Sequence, residues 1–144
     1  LPTFIEQPRV LLIEDDTVQQ QVLSFLFQSH LPTVSWKVAS DGLEACTLIG
    51  SFHPHLIITD IMMPNMDGVD LVRYLKDNDL YQDIVTFVIT SLKSDSEKIQ
   101  QVRELGVDNV FGKPLNSQML IKSIRKSLSE VLNKESREES RELL

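Results

Sequence analysis

Acidic, hydroxyl and amine side chains occur at four places in this chain, each just after a short apolar run. Glu14-Asp15-Asp16 follows Val10-Leu11-Leu12-Ile13, and Asp60 follows Leu56-Ile57-Ile58-Thr59. Thr90-Ser91 closes the run that begins at Val85, and Lys113-Pro114 comes shortly after Val110-Phe111. Brought together, Glu14, Asp15 and Asp60 would repel one another, at about 4 kcal/mol for a pair 4 Å apart at an effective dielectric near 20. A divalent cation offsets such repulsion. Oxygen-only ligands with no His or Cys beside them select a hard ion, Mg²⁺, which keeps several waters and takes one or two carboxylates plus phosphate. Asp60, ending an apolar run, is the carboxylate best held to act as a nucleophile, and carboxylates form acyl phosphates. Thr90 offers a hydroxyl donor and Lys113 a cation, the two groups a transferred phosphoryl needs.

These stations can meet only if the runs between them are parallel strands. The runs at Val10, Leu56 and Val85 are apolar throughout, as strands covered on both faces must be. A run over residues 34–38 alternates more and belongs at an edge, and a weak fifth run lies at Val110-Phe111. Helical periodicity falls between them over residues 17–28, 43–49, 69–76, 94–105 and 117–132. The first helix would bury Val22, Leu23, Leu26 and Phe27. The fourth stops at Gly106, a helix-terminating residue, and the fifth carries Leu120, Ile121, Ile124, Leu128 and Val131 on one face. Alternating strands and helices predict an α/β fold with a doubly wound, five-stranded parallel sheet. In such sheets ligands bind beyond the carboxyl ends of the strands, where all four stations would converge. Within the loop after Asp60, Pro64 stiffens the chain and Gly68 supplies dihedrals closed to other residues. Asp16 reads as a cap of the first helix.

Composition sets the outer bounds. With 144 residues, 42% hydrophobic and 24% charged, the chain suits one globular domain. Fourteen basic against 21 acidic side chains give a net charge of −7, which disfavours direct binding of nucleic acid. A single cysteine, Cys46, excludes an internal disulfide and points to a reducing, cytoplasmic setting; its apolar neighbours make it a small buried hydrophobe. Neither a membrane-spanning run nor a signal peptide is visible. The chain opens on Leu1-Pro2 rather than Met, which reads as a piece of a longer protein. We divide it into a lead-in over residues 1–7, one domain over 8–132, and a charged helical extension or linker over 133–144.

The ordered set Glu14-Asp15, Asp60-Ile61-Met62-Met63-Pro64-Asn65-Met66-Asp67-Gly68, Thr90-Ser91 and Lys113-Pro114 closely resembles the receiver domain of two-component response regulators, the CheY-like family. The resemblance runs from about Arg9 to Leu132. It implies a flavodoxin-like sheet with strand order 2-1-3-4-5. It implies that Asp60 accepts a phosphoryl group from a sensor histidine kinase or a histidine phosphotransfer protein. Asp15, Asp60 and the backbone carbonyl of Met62 would ligate Mg²⁺, with Glu14 acting through water. Lys113 would pair with a phosphoryl oxygen, Thr90 would turn its hydroxyl toward it, and Ser91 would supply a backbone N–H. The Lys113-Pro114 bond would be cis. Phosphorylation would then bias the face made by the fourth helix, fifth strand and fifth helix toward an output domain, an effector or a second copy of the chain. Asp108 and Arg125 resemble charged positions used for dimer contacts in some DNA-binding regulators.

Two departures stand out. The aromatic that the family usually carries three residues before its lysine is Val110 here, while Phe111 faces the other side of the strand, so the usual switch motion is in doubt. In the family this chain resembles, the residues flanking the acceptor tune how fast water attacks the acyl phosphate; here they are Met62 and Leu92, apolar and unable to orient a water, which implies slow self-dephosphorylation and no steady-state enzyme activity. A Mg²⁺-dependent aspartyl phosphatase would need an acid two positions after its nucleophile, where this chain has Met62. A docking module that keeps only the fold often lacks one of Glu14, Asp15, Asp60, Thr90 and Lys113, all present here. We assign His53 and His55 to a surface loop, His30 to a helix end, Trp36 to packing in the edge strand, and Met62, Met63 and Met66 to packing or partner contact rather than a soft-metal site.

Overall fold

The computed structural model describes residues 7–143; of the expected lead-in, all but Gln7 lies outside the described residues. Five strands, β1 (Arg9–Ile13), β2 (Ser35–Ala39), β3 (Leu56–Thr59), β4 (Val85–Thr90) and β5 (Asn109–Gly112), form one parallel sheet in the order β2-β1-β3-β4-β5. Between and after them lie α1 (Thr17–His30), α2 (Gly42–Phe52), α3 (Gly68–Asp77), α4 (Glu97–Glu104) and α5 (Ser117–Glu142). The α/β class, the doubly wound sheet and the 2-1-3-4-5 order are as expected, with the alternating strand at the edge. Arg9 to Ile13 pairs with β2 on one side and β3 on the other, so the strand order reverses at β1.

Strand alternation divides the core. Val10, Leu12, Leu56, Ile58, Phe87 and Ile89 face α1 and α5, where Leu23, Leu26, Phe27, Leu120, Ile121, Ile124 and Leu128 bury against them. Leu11, Ile13 and Ile57 point to the other side, against Ala45, Ile49, Leu71 and Leu75. A third cluster joins Ile61, Val69, Val72 and Val88 to Ile99 and Val102. Val110 packs with this last cluster and Phe111 with the α1–α5 side, its ring 5.5 Å from that of Phe87, the opposed placement the strand period requires.

Several local expectations need correction. Val22 is 45% exposed, because α1 turns it to the rim rather than the buried stripe. His55 is buried, not in a surface loop: its Nδ1 accepts the Arg9 N–H at 3.0 Å, and Glu135 from α5 lies 3.5 Å from its Nε2. His53 is exposed and caps α2 at φ 52°. Cys46 is half-buried, its Sγ 3.8 Å from Met66 Sδ. The fourth helix begins at Glu97 rather than Ser94; of the two readings of residues 133–144, extension or linker, α5 takes the helical one as far as Glu142. Half-buried Trp36 packs on Phe27, their ring centroids 6.0 Å apart. His30 ends α1, and its carbonyl accepts from Arg125 Nη2 at 2.8 Å. Among the described residues, no helix is long and apolar enough to cross a membrane.

Candidate functional site

The site lies beyond the carboxyl ends of β1, β3, β4 and β5. Glu14 leaves β1 with its N–H on the Ala39 carbonyl at 3.0 Å; its carbonyl accepts from Gln20 Nε2 at 2.5 Å and its Oε1 from the Asp16 N–H at 3.2 Å. Asp16 caps α1, its Oδ1 accepting from the N–H groups of Val18 and Gln19, as expected of an N-cap aspartate. Asp60 follows β3 and is 8% exposed. Its Oδ1 accepts the Met62 N–H at 3.2 Å, while Lys113 Nζ donates to its Oδ2 at 2.7 Å. Lys113 also stands 4.0 Å from Glu14 Oε2. Thr90, buried at the end of β4, accepts the Lys113 N–H on its carbonyl at 2.9 Å and the Leu92 N–H on its hydroxyl at 3.1 Å. Among the described residues its hydroxyl proton has no hydrogen-bond acceptor.

The loop after Asp60 is held by contacts that sequence reading assigned to the wrong cause. Asn65, at φ 69°, takes the left-handed turn, and Gly68 does not. Glycine is needed at 68 because a Cβ would fall 2.6 Å from the Asp60 carbonyl oxygen and 2.8 Å from Ile61 Cα. The start of α3 thus rests directly on the acceptor's own main chain, secured by Gly68 N–H to Ile61 carbonyl at 2.8 Å. Gly42 is needed for the same reason, since a Cβ would meet Met66 at 2.7 Å. Asp67 caps α3 in a reciprocal box with Asp70. The Lys113-Pro114 bond is cis.

Charge in the site is unbalanced. Burial pushes the Glu14 carboxyl above its usual range, with Asp60 and Asp15 adding to the rise and Lys113 opposing it. Burial alone would lower the Lys113 ammonium; the hydrogen bond and charge of Asp60, backed by Glu14 and Asp15, outweigh it and raise the value. Asp15 is solvent-exposed, within electrostatic reach of both. A cavity of 270 Å³ is lined by Glu14, Asp60 and Lys113 together with the apolar Val22, Leu23 and Leu115. Among the described residues, no three His, Cys, Asp or Glu side chains are grouped so as to enclose a metal by themselves. Met62 is 52% exposed beside the acceptor and Leu92 is half-buried. Ser91 is exposed. Gln20 and Lys98 were not singled out in the sequence; neither belongs to a motif by spacing, and the role of each depends on contacts across 6 and 31 residues respectively.

An open sheet with acids, a hydroxyl and an amine gathered at its topological switch point defines a flavodoxin-like, CheY-like α/β domain. The profile of the response regulator receiver domain matches residues 10–125, and the chain belongs to that family, the receivers of two-component systems. It is 29% identical over 129 residues to the "Probable transcriptional regulator ycf27" of Porphyridium aerugineum, covering 88% of this chain and 50% of that protein. It is 30% identical over 119 residues to "Response regulator MprA" of Mycobacterium sp. (strain KMS), covering 81% and 49%. Among solved structures, the signal receiver domain of a DNA binding response regulator from Colwellia psychrerythraea 34H superposes with a TM-score of 0.79 at 27% identity, over 85% of this chain and 98% of that one. The chain spans about half the length of the first curated relatives it matches.

Proposed function

We propose that Asp60 accepts a phosphoryl group from a phosphohistidine on a sensor histidine kinase or histidine phosphotransfer protein, in a Mg²⁺-dependent reaction. A carboxylate oxygen of Asp60 forms the new O–P bond as the N–P bond of the donor breaks, the electron pair returning to the imidazole nitrogen. The observation that carries the reading is the Lys113 ammonium 2.7 Å from Asp60 Oδ2, with the Glu14 carboxylate 4.0 Å from the same nitrogen. One cation faces more than one carboxylate, and it already points where phosphoryl charge will appear.

The donor set fits a hard ion: Asp15, Asp60 and the Met62 carbonyl as ligands, and Glu14 through water. Bound there, Mg²⁺ supplies positive charge that neutralises the carboxylates and the incoming phosphoryl oxygens. The chain's own groups do the rest. Lys113 pairs with a phosphoryl oxygen, the free proton of the Thr90 hydroxyl turns toward another, and the Ser91 N–H faces a third. The added charge of about −1.5 to −2 draws Thr90 and Lys113 inward and biases the α4–β5–α5 face toward an output domain, an effector or a second copy of the chain. Asp108 is exposed on that side for such a contact. The chain acts as a signalling domain in the cytoplasm, without direct contact to nucleic acid or membrane. Because Met62 and Leu92 offer no group to orient water, the acyl phosphate decays slowly.

Incubation with a small phosphodonor and Mg²⁺, followed by intact-mass analysis, tests the proposal. Wild type gains one phosphoryl group and Asp60→Asn gains none; no gain by wild type refutes it. Polar substitutions at Met62 and Leu92 that leave the decay rate unchanged would refute the account of slow turnover.

A further inference from the structure

Four of the five helices start with a side-chain cap. Asp16, Asp41, Asp67 and Asn116 each accept backbone N–H groups at the heads of α1, α2, α3 and α5. Ser96, at the head of α4, makes no such bond. This helix is also the shortest, eight residues, and its buried side chains are only Ile99 and Val102. A short, uncapped helix with two buried anchors sits low on the scale of local stability.

One polar contact anchors this end of the helix instead, although it leaves the first N–H groups uncapped. Lys98, in the first turn of α4, donates from Nζ to Asp67 Oδ2 at 2.5 Å. Among the described residues this is the one side-chain hydrogen bond from α4 to another element. Asp67 is the last residue of the loop that begins at Asp60, and its side chain is four-fifths buried. The residue after it, Gly68, lies against the Asp60 carbonyl. The chain of contacts runs from acceptor backbone to loop end to the first turn of α4. The charges support it: the hydrogen bond to Asp67 and that carboxylate's charge raise the Lys98 ammonium, and Lys98 with Asp70 holds the Asp67 carboxyl low despite the opposing effect of burial.

We propose that Lys98 is a positioning residue that ties the first turn of α4 to the phosphoacceptor loop, so that a shift of the loop is delivered to α4 through the Lys98–Asp67 pair. The delivery step rests on the reading of Asp60 as phosphoacceptor; the tie itself does not. Lys98 touches neither the acceptor carboxylate nor Glu14, so its removal leaves phosphoryl uptake intact.

Hydrogen exchange of the full chain, with and without a small phosphodonor and Mg²⁺, tests both parts on wild type, Lys98→Met and Lys98→Arg. Without phosphodonor, α4 amides in Lys98→Met exchange roughly two- to fivefold faster than wild type, the span expected of a surface-accessible ion pair, and Lys98→Arg restores wild-type protection. Equal protection in wild type and Lys98→Met overturns the tie. With phosphodonor, Lys98→Met gains the same phosphoryl mass as wild type but shows a smaller change in α4 exchange on phosphorylation. An undiminished change overturns the delivery step. Should wild type gain no phosphoryl group, the reading of Asp60 fails and the delivery step with it, while the comparison without phosphodonor still decides the tie.

Discussion

At the amino-terminal ends of the strands, polar groups find partners within the chain; at the carboxyl ends they do not balance. At the base, Arg9 donates its N–H to His55 Nδ1 and its Nε to the carbonyls of Phe52 and His53, at 3.0 and 2.8 Å. Glu135 closes over His55, and Lys134 stands 4.0 Å from Asp83. At the other end, Glu14, Asp15 and Asp60 share one ammonium, Lys113. Both ends belong to the same sheet, so fold stability alone does not explain the difference. Charge that is satisfied internally holds the structure; on the proposed function, the charge left in excess is what a cation and a phosphoryl group would balance. Removing a group should therefore cost stability at the base and reactivity at the site.

The largest contrast is expected between Lys113→Ala and His55→Ala. The first lowers the phosphorylation rate by roughly a hundredfold, the loss typical of one charge-stabilising donor, measured by time-resolved mass analysis. The second leaves that rate near wild type but lowers unfolding free energy by about 1–3 kcal/mol, as the Arg9 N–H loses its acceptor and a buried side chain is removed, measured in urea. Equal rate loss in both would erase the distinction.

Next in size is the response to Mg²⁺. At a hundredfold excess over its dissociation constant the ion should stabilise the fold by about 2.7 kcal/mol, read as a rise in melting temperature. Asp15→Asn and Asp60→Asn should lose most of that rise, and removal of Glu135 none of it.

A smaller effect tests steric fit within the site. Gly68→Ala forces a Cβ onto the Asp60 carbonyl and should cost about 1–3 kcal/mol, with slower phosphorylation. Gly112→Ala, where a Cβ would meet nothing within 4 Å, should stay within roughly 0.5 kcal/mol of wild type.

The smallest concerns Asp67, whose carboxyl lies below its usual range. A lowered carboxylate gives stability that is present above the ordinary Asp range and is lost as pH falls through the lowered value. Asp67→Asn keeps a capping oxygen but removes the charge. It should lower stability at neutral pH by less than about 1 kcal/mol, and the gap to wild type should close under acid. A gap that persists at low pH would contradict the role of the Lys98 ion pair.

Much of this was legible in the sequence, for identifiable reasons. The runs at Val10, Leu56 and Val85 admit one reading because uninterrupted apolar residues must be covered on both faces, and they fix where Glu14, Asp60 and Thr90 emerge. Strand order came from resemblance to a known family, since periodicity does not rank strands. His55 was misplaced because its burial depends on Arg9 and Glu135, 46 and 80 residues away in sequence. The start of α4 was placed three residues too early, at Ser94, because Ser94, Asp95 and Ser96 are all capping types and Ser96, at the actual start, makes no cap bond. Residues 133–144 were left open as a charged helical extension or linker because periodicity of apolar residues does not register a charged stretch without Gly or Pro; α5 runs through it to Glu142. Gly68 was noticed for the wrong property, because a close approach of backbone leaves no trace in a dihedral preference.

The central claim is tested most directly by locating the phosphoryl group. After reaction with a small phosphodonor and Mg²⁺, reductive trapping of the acyl phosphate and peptide mapping should find one labelled residue, Asp60, and no label in Asp60→Asn. Label on another residue, or uptake that survives in Asp60→Asn, would contradict the account.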